Sequence, residues 1–381
     1  MTHRAPPAVV SQVWSHMTSS SMPCMSSRAS SSMSLRLSTG LSTSVSSGVS
    51  SGVPPGSLRW LLCVLMLLGG LFGAGPALAD SCSVSMPGIS FGSVSPISGN
   101  AVGATATLTV SCTWQQTTIT PNALVCLNLT GTPRQLTNGS NTMLYDLYQD
   151  QNYGVKWGAT SAGTQPIIVQ LQKPVFSGTV TVNSTVTVYG LIAANQPLVP
   201  SVGNVDTIYS QTFTAAQAVM NVGFSLLPII ITPTCAVGGG TTVAGSFPFT
   251  VNATVTNNCN ISATDVAFAP AGLLNTALSA TGSLSVQCTN GDAYRIALSG
   301  GGTGNVNARK MTRQGGGGTI SYQLYTDAAH AIAWGDATGG TIAPGSGTGA
   351  AQTITIYGVV PVQSTPQPGR YSDTITATIM F

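Results

Sequence analysis

Glutamate is absent from this 381-residue chain, and charged residues of all kinds make up only 6% of it. Long amphipathic helices are built from stripes of Glu, Lys, Leu and Ala, so a helical fold has little to be made from. Histidine is nearly missing as well: of three, only His330 lies beyond residue 80. A Ser-His-Asp hydrolase would have to use it, no G-x-S-x-G elbow accompanies it, and it reads as a turn residue. No C-x-x-C pair and no Cys/His cluster occurs, which argues against structural zinc. The expectation is a non-enzyme with no catalytic residue, no metal and no cofactor.

Basic surface is equally scarce. The formal charge of +3 comes from Arg4, Arg28, Arg36 and Arg59, because from residue 80 onward eight basic residues face nine aspartates. Nucleic-acid binding needs a clustered basic face. Arg309, Lys310 and Arg313 form the one cluster, read as a solvated loop, so no nucleic-acid partner is expected. The glycine runs at 300–304 and 315–318 lack a following Lys-Ser/Thr and open no helix, which makes them turns rather than phosphate cradles.

What remains is glycine (44 residues) and alternating Thr, Val and Ser, the composition of a β-rich extracellular protein. Residues 1–57 are Ser-rich without a hydrophobic period and read as an unusual leader or a mis-assigned start. Residues 58–79 read as a signal peptide: Arg59, an apolar run from Trp60 to Leu68, and Ala77-Leu78-Ala79 as the cleavage site. The run is short for a membrane span of about 20 residues. The exported chain is then expected to begin at Asp80. Cys24 and Cys63 go with the leader, leaving six cysteines, an even number that argues for disulfides.

The remaining sequence contains an internal repeat. Tyr145-Asp146-Leu147-Tyr148-Gln149-Asp150 matches Tyr322-Gln323-Leu324-Tyr325-Thr326-Asp327 at an offset of 177, as do Trp157 with Trp334 and Cys82 with Cys259. Asp146 and Asp150 are no shared carboxylate pair, since Gln323 stands opposite Asp146 in the second copy. Each copy is a string of short alternating strands with Gly/Pro/Asn turns, which predicts two tandem β-sandwiches at 80–235 and 259–381 joined by 236–258. The repeat suggests Cys82–Cys112 and Cys259–Cys288 and leaves Cys126–Cys235, although six cysteines allow fifteen pairings.

Cys259 to Phe268, Ser285-Val286-Gln287-Cys288-Thr289-Asn290-Gly291, Arg309-Lys310-Met311, Trp334-Gly335-Asp336 and the closing run from Pro368 to Phe381 carry a resemblance. They resemble the spore coat protein U domain family, shared by pilins of the Csu type in archaic chaperone–usher pili. Copy one fits more loosely, with Gln211 where copy two has Asp373. Two copies behind one signal peptide look like the family's two-domain tip subunit, with an N-terminal adhesin domain and a C-terminal pilin domain.

The resemblance implies immunoglobulin-like sandwiches, the C-terminal one lacking its last strand. It implies a periplasmic chaperone, an outer-membrane usher and a next pilin subunit donating a strand as partners. It also implies export through the periplasm to the pilus tip on the cell surface, and attachment to hydrophobic surfaces in biofilm formation. A structural coat protein of dormant cells is the alternative. In copy two Ile375, Ala377, Ile379 and Phe381 alternate on the strand expected to meet the chaperone or next subunit.

Between the copies, Phe247, Phe249, Val251, Ala253 and Val255 alternate with smaller or polar residues, the period of a half-buried strand. This donor-like stretch, or the apolar segment at 224–231, is expected to complete copy one from within, with a plain linker as the alternative. No donor arm precedes Cys82, which suits the end of a fibre. Copy one also carries longer, apolar loops, expected to touch a surface through Ile119, Pro121, Ile167, Ile168, Val175, Phe176, Leu198, Val199 and Val202. Ile167 alternatively belongs to one more core strand.

Overall fold

Alternation is the rule that generates the fold. In the stretch Val102–Trp114, Leu108, Val110, Cys112 and Trp114 face inward while Thr107, Thr109, Ser111 and Thr113 do not, as a sheet with one covered face requires. A computed structural model describes residues 79–226 and 233–381. The Ser-rich leader, Cys24, Cys63, the signal peptide up to Leu78 and positions 227–231 of the segment at 224–231 lie outside the described residues.

The first module consists of β1 (Ser81–Ser85), β2 (Ile89–Val94), β3 (Val102–Trp114), β4 (Asn122–Leu129), β5 (Gln135–Asn138), β6 (Asn141–Tyr148), β7 (Ile167–Gln172), β8 (Val180–Ile192), β9 (Thr207–Phe213), β10 (Ala218–Ser225), β11 (Thr242–Ser246) and β12 (Phe249–Val255). One sheet runs β1-β3-β8-β6-β5-β9-β12-β2 and the facing sheet β11-β10-β4-β7. The second module consists of β13 (Cys259–Ala263), β14 (Leu278–Cys288), β15 (Ala293–Leu298), β16 (Lys310–Arg313), β17 (Thr319–Ser321), β18 (Gln323–Tyr325), β19 (Ala343–Ser346), β20 (Gln352–Val360), β21 (Tyr371–Ser372) and β22 (Ala377–Met380). Its sheets are β13-β14-β20-β18, β19-β15-β22 and β17-β16-β21. Among the described residues there is no α-helix, and two separate apolar cores mark two tandem immunoglobulin-like sandwiches.

The repeat extends to atomic detail. Trp157 donates its indole N–H to the Leu127 carbonyl at 2.8 Å, and Trp334 does the same to Ile296 at 2.8 Å. Cys82–Cys112 and Cys259–Cys288 each staple the first strand of a module to its neighbour, and Cys126–Cys235 ties β4 to the segment before β11. These are the three expected pairs.

Arg309 is a correction. It is 1% exposed rather than part of a solvated loop. Its guanidinium donates to the Ser299 carbonyl at 2.9 and 2.8 Å, the Leu298 carbonyl at 2.8 Å and Gln323 Oε1 at 2.6 Å. Burial lowers its pKa, but a guanidinium stays charged, and its fixed fork of donors suits carbonyls left over where β15 ends. Arg134 does the equivalent work in the first module, reaching Asp146 Oδ1 at 2.7 Å and the carbonyls of Leu147 and Trp157.

Gly88 lets β12 close against β2. Its φ is +92°, and a Cβ there would lie 2.6 Å from the Thr250 carbonyl oxygen. Gly88→Ala should therefore destabilise the first module by about 1–3 kcal/mol, read as a lower urea midpoint, with the second module's transition unmoved.

Candidate strand groove and distal loops

β12 is held from both sides. It pairs antiparallel with β9, from Phe249 opposite Phe213 to Val255 opposite Thr207, and parallel with β2, with Val251 opposite Ile89. Phe247, Phe249, Val251, Ala253 and Val255 are all buried in the first module's core. The rings of Phe247 and Phe249 each stack on Trp157, with centroids 5.8 and 5.9 Å away, and Phe249 also meets Phe213 at 4.8 Å. Each large apolar side chain so buried contributes roughly 1.5–3 kcal/mol.

The second module shows the same surroundings without the strand. Offset 177 carries Ile89 and Phe91 of β2 onto Val266 and Phe268, where residues 264–270 form no strand. Ile89 and Phe91 are buried, whereas Val266 and Phe268 are half-buried. Both phenylalanines still pack over a glycine: a Cβ on Gly190 would lie 2.7 Å from the Phe91 ring, and one on Gly358 3.0 Å from that of Phe268. β9 has seven residues, but its counterpart β21 has two, paired only with β16. Among the described residues nothing pairs with the other edge of β21. A backbone edge beside half-covered apolar side chains is a place for an added strand.

Below that edge a cavity of about 380 Å³ is lined by Gly301, Gly302, Thr312, Ser372, Asp373 and Thr374. Asp373 accepts from the amides of Gly302 (2.8 Å) and Thr374 (2.9 Å) and from the Tyr322 hydroxyl (2.7 Å). In the first module Tyr145 donates instead to Gln211 Oε1 at 2.6 Å. Burial pushes the pKa of both hydroxyls far above the ordinary tyrosine value, and Asp373 adds to this for Tyr322. Ile375, Ala377 and Ile379 pack half-buried on the second core, and β22 pairs with β15. Phe381 differs from its expected partners: it lies beyond β22 and is 48% exposed, because the pairing with β15 stops at Met380.

The proposed surface loops separate into two poles. β3 and β8 pair along their whole length, Trp114 opposite Val180 and Val102 opposite Ile192. The loops at 115–121 and 173–179 therefore lie at one end, and the loop at 193–206 at the other, roughly 40 Å away along 13-residue strands. At the first pole Ile119, Val175 and Phe176 are exposed, Phe176 with a φ of +60°, and Pro121 is half-buried. Leu226, exposed at the same pole beside Asn122, is not legible as a loop residue because its segment reads as a core strand.

The turn carrying Ile119 is gripped from two sides. Asp80 accepts from the Gln115 amide at 2.8 Å and from the Thr118 hydroxyl, while Lys173 Nζ donates to the Gln115 carbonyl at 2.5 Å.

Two of the loop assignments need correction, and a third pair lies at the other pole. Ile167 is buried in β7, whose alternation turns it to the core and leaves Ile168 exposed. Val199 is 5% exposed and packs on the first core. Leu198 and Val202 are exposed, but their loop faces the second module: Pro200 bridges to Asn290, and Asn290 Nδ2 donates to the Leu198 carbonyl at 2.8 Å. Tyr209 fixes this loop by donating to the Pro200 carbonyl at 2.6 Å, and burial pushes its pKa up to about 12.

The polar candidates serve turns and ion pairs. His330 sits at a φ of +57° in a turn whose amides at Ala331 and Ile332 donate to Asp327. Asp150 receives the amides of Asn152, Gly154 and Val155, and Asp146 pairs with Arg134 and Lys156.

A family model described as "Spore Coat Protein U domain" matches this sequence twice, at residues 69–215 and 246–378. The chain belongs to that family. Protein U of Myxococcus xanthus is 40% identical over 107 residues, 26% of this chain and 59% of that relative, so the chain spans 59% of the relative's length. Two solved structures are remote. The chaperone–tip adhesion subunit pre-assembly complex of archaic Csu pili from Acinetobacter baumannii is 16% identical, covering 79% of this chain and 100% of that one at a TM-score of 0.44. The CupB6 tip adhesin of Pseudomonas aeruginosa is 11% identical, covering 79% and 94% at 0.32. Likenesses this distant decide neither function nor partner.

Phe249→Ala removes a ring stacked on Trp157 and is expected to cost the first module about 3–5 kcal/mol. Differential scanning calorimetry should show its transition lowered while the second module's stays in place.

Proposed function

We propose that this chain is the tip subunit of an archaic chaperone–usher fibre. The first module, closed by β12 of its own chain, meets hydrophobic surfaces through Ile119, Val175 and Phe176 and supports attachment and biofilm growth. The second module takes the equivalent strand from the next subunit. A periplasmic chaperone covers the same groove through β22 and the edge of β21 until the outer-membrane usher exchanges it. The chain is exported, stands at the pilus tip and carries out no catalysis.

The asymmetry of the two grooves carries this reading: β12 fills one, and the matching place in the other holds no strand. An apolar groove with a free backbone edge aggregates unless another chain occupies it. One filled and one open groove suits a terminal subunit, and the motifs shared with Csu-type pilins point the same way. The coat-protein reading gives the open groove no occupant.

Residues 259–381 produced alone should be insoluble, or soluble only with a bound chaperone or an added strand peptide. A stable monomer, its groove sealed by its own backbone, sinks the proposal. Replacing Ile119, Val175 and Phe176 by Ser should lower attachment to polystyrene by at least about tenfold with fibre number unchanged, since two or more apolar side chains lose their burial. Leu198→Ser, at the opposite pole, should leave attachment as it was. Equal attachment by the triple variant removes the distal pole from the account.

A further inference from the structure

The two modules are joined by three residues, Thr256 to Asn258, and by a cross-module contact that no sequence motif announces. The loop at 193–206 of the first module lies on Asn290–Ala293 of the second. Asn204 Nδ2 donates to the Ala293 carbonyl at 2.7 Å, and the Ala293 amide returns a bond to Asn204 Oδ1 at 2.9 Å. Asp292 sits in the middle of this contact, 0% exposed. Its Oδ1 accepts from the Ser201 hydroxyl across the junction, and its Oδ2 is buried with no partner.

Among the described residues no base pairs with this carboxyl. Among the described residues the side-chain ion pairs both belong to Asp146, far along the chain in the first module. The charged group that acts on Asp292 is another acid, Asp206, which accepts from the Asn257 amide at 2.9 Å. The other neighbours are neutral: Ser201 on the loop, and Thr289, whose carbonyl receives the Asp292 amide. An ionised carboxylate with one hydrogen bond, an unpartnered buried oxygen and an acidic neighbour is expensive to bury, and losing its charge removes most of that cost.

We propose that Asp292 makes the module junction a proton-sensitive latch, closed over Ser201 when the carboxyl is neutral and loosened when it ionises. Burial raises the pKa of the docked carboxyl, Asp206 raises it further and the Ser201 hydrogen bond opposes both. The undocked carboxyl titrates at about 3.9. Docking therefore has its full strength below about pH 4 and loses it as pH rises through the higher, docked value. The latch does not depend on the fibre-tip reading, because it concerns the contact between the two modules of one chain.

Amide hydrogen exchange on the full chain tests it, with the Ala293 and Asn257 amides normalised to the core amides of Val110 and Val286. Between about pH 4.5 and about pH 7.5 the normalised protection of the junction amides should fall by about tenfold, the direction that a raised docked pKa requires. Asp292→Asn should give a flat profile at the protected level. Asp206→Asn keeps the acceptor for Asn257 but drops the like charge, so the midpoint should move to lower pH. A flat wild-type profile, a slope that survives in Asp292→Asn, or a midpoint unmoved by Asp206→Asn overturns the proposal.

Discussion

The backbone edges of β9 and β2 cannot both be satisfied by the strands that precede them in the chain. Among the described residues β2 has no pairing partner other than β12, so residues 89–94 are a strand because residues 249–255 lie beside them. The first module is thereby finished only after β12, although β10, the counterpart of the second module's last strand, already ends at Ser225. In the second module no such strand arrives. Residues 264–270 stay irregular there, β21 shrinks to two residues and β22 to four, against the eight of β10. The same sequence pattern gives long strands where the gap is filled and short ones where it is not, which places the difference in packing rather than in local propensity.

Much of this is legible in the sequence, for definite reasons. Alternation at residues 247–255 survives in any β environment, and the cysteines fall at repeat-equivalent positions, so both can be read without coordinates. Arg309 misleads because an arginine beside a lysine looks solvated, and only the position of the Leu298 and Ser299 carbonyls shows what the guanidinium is for. Val199 and Leu198 look like one apolar tip. They are adjacent in sequence but turn opposite ways, one to the first core and one outward. Asp292 gives no sign at all, since its character comes from Ser201 and Asp206, ninety-one and eighty-six positions earlier.

Separation of the two poles organises the first module. At one end the short turn with Ile119 is held by Asp80, Lys173 and the Trp114 indole, which donates to the Thr120 carbonyl at 3.1 Å. At the other end the loop fixed by Tyr209 is committed to the second module. Apolar composition alone does not distinguish the two, because both ends are rich in Val, Leu, Ile and Pro.

β12 has one more property, set by the short connection at its end. Val255 is separated from Cys259 by three residues, so tension carried by the connecting chain enters the first module along the axis of β12 itself. Its ladders to β9 and β2 run across that axis, and a lengthwise pull loads them together instead of one after another. The piece that completes the sandwich is thus also its tether, and a strand paired along both edges carries the mechanical load.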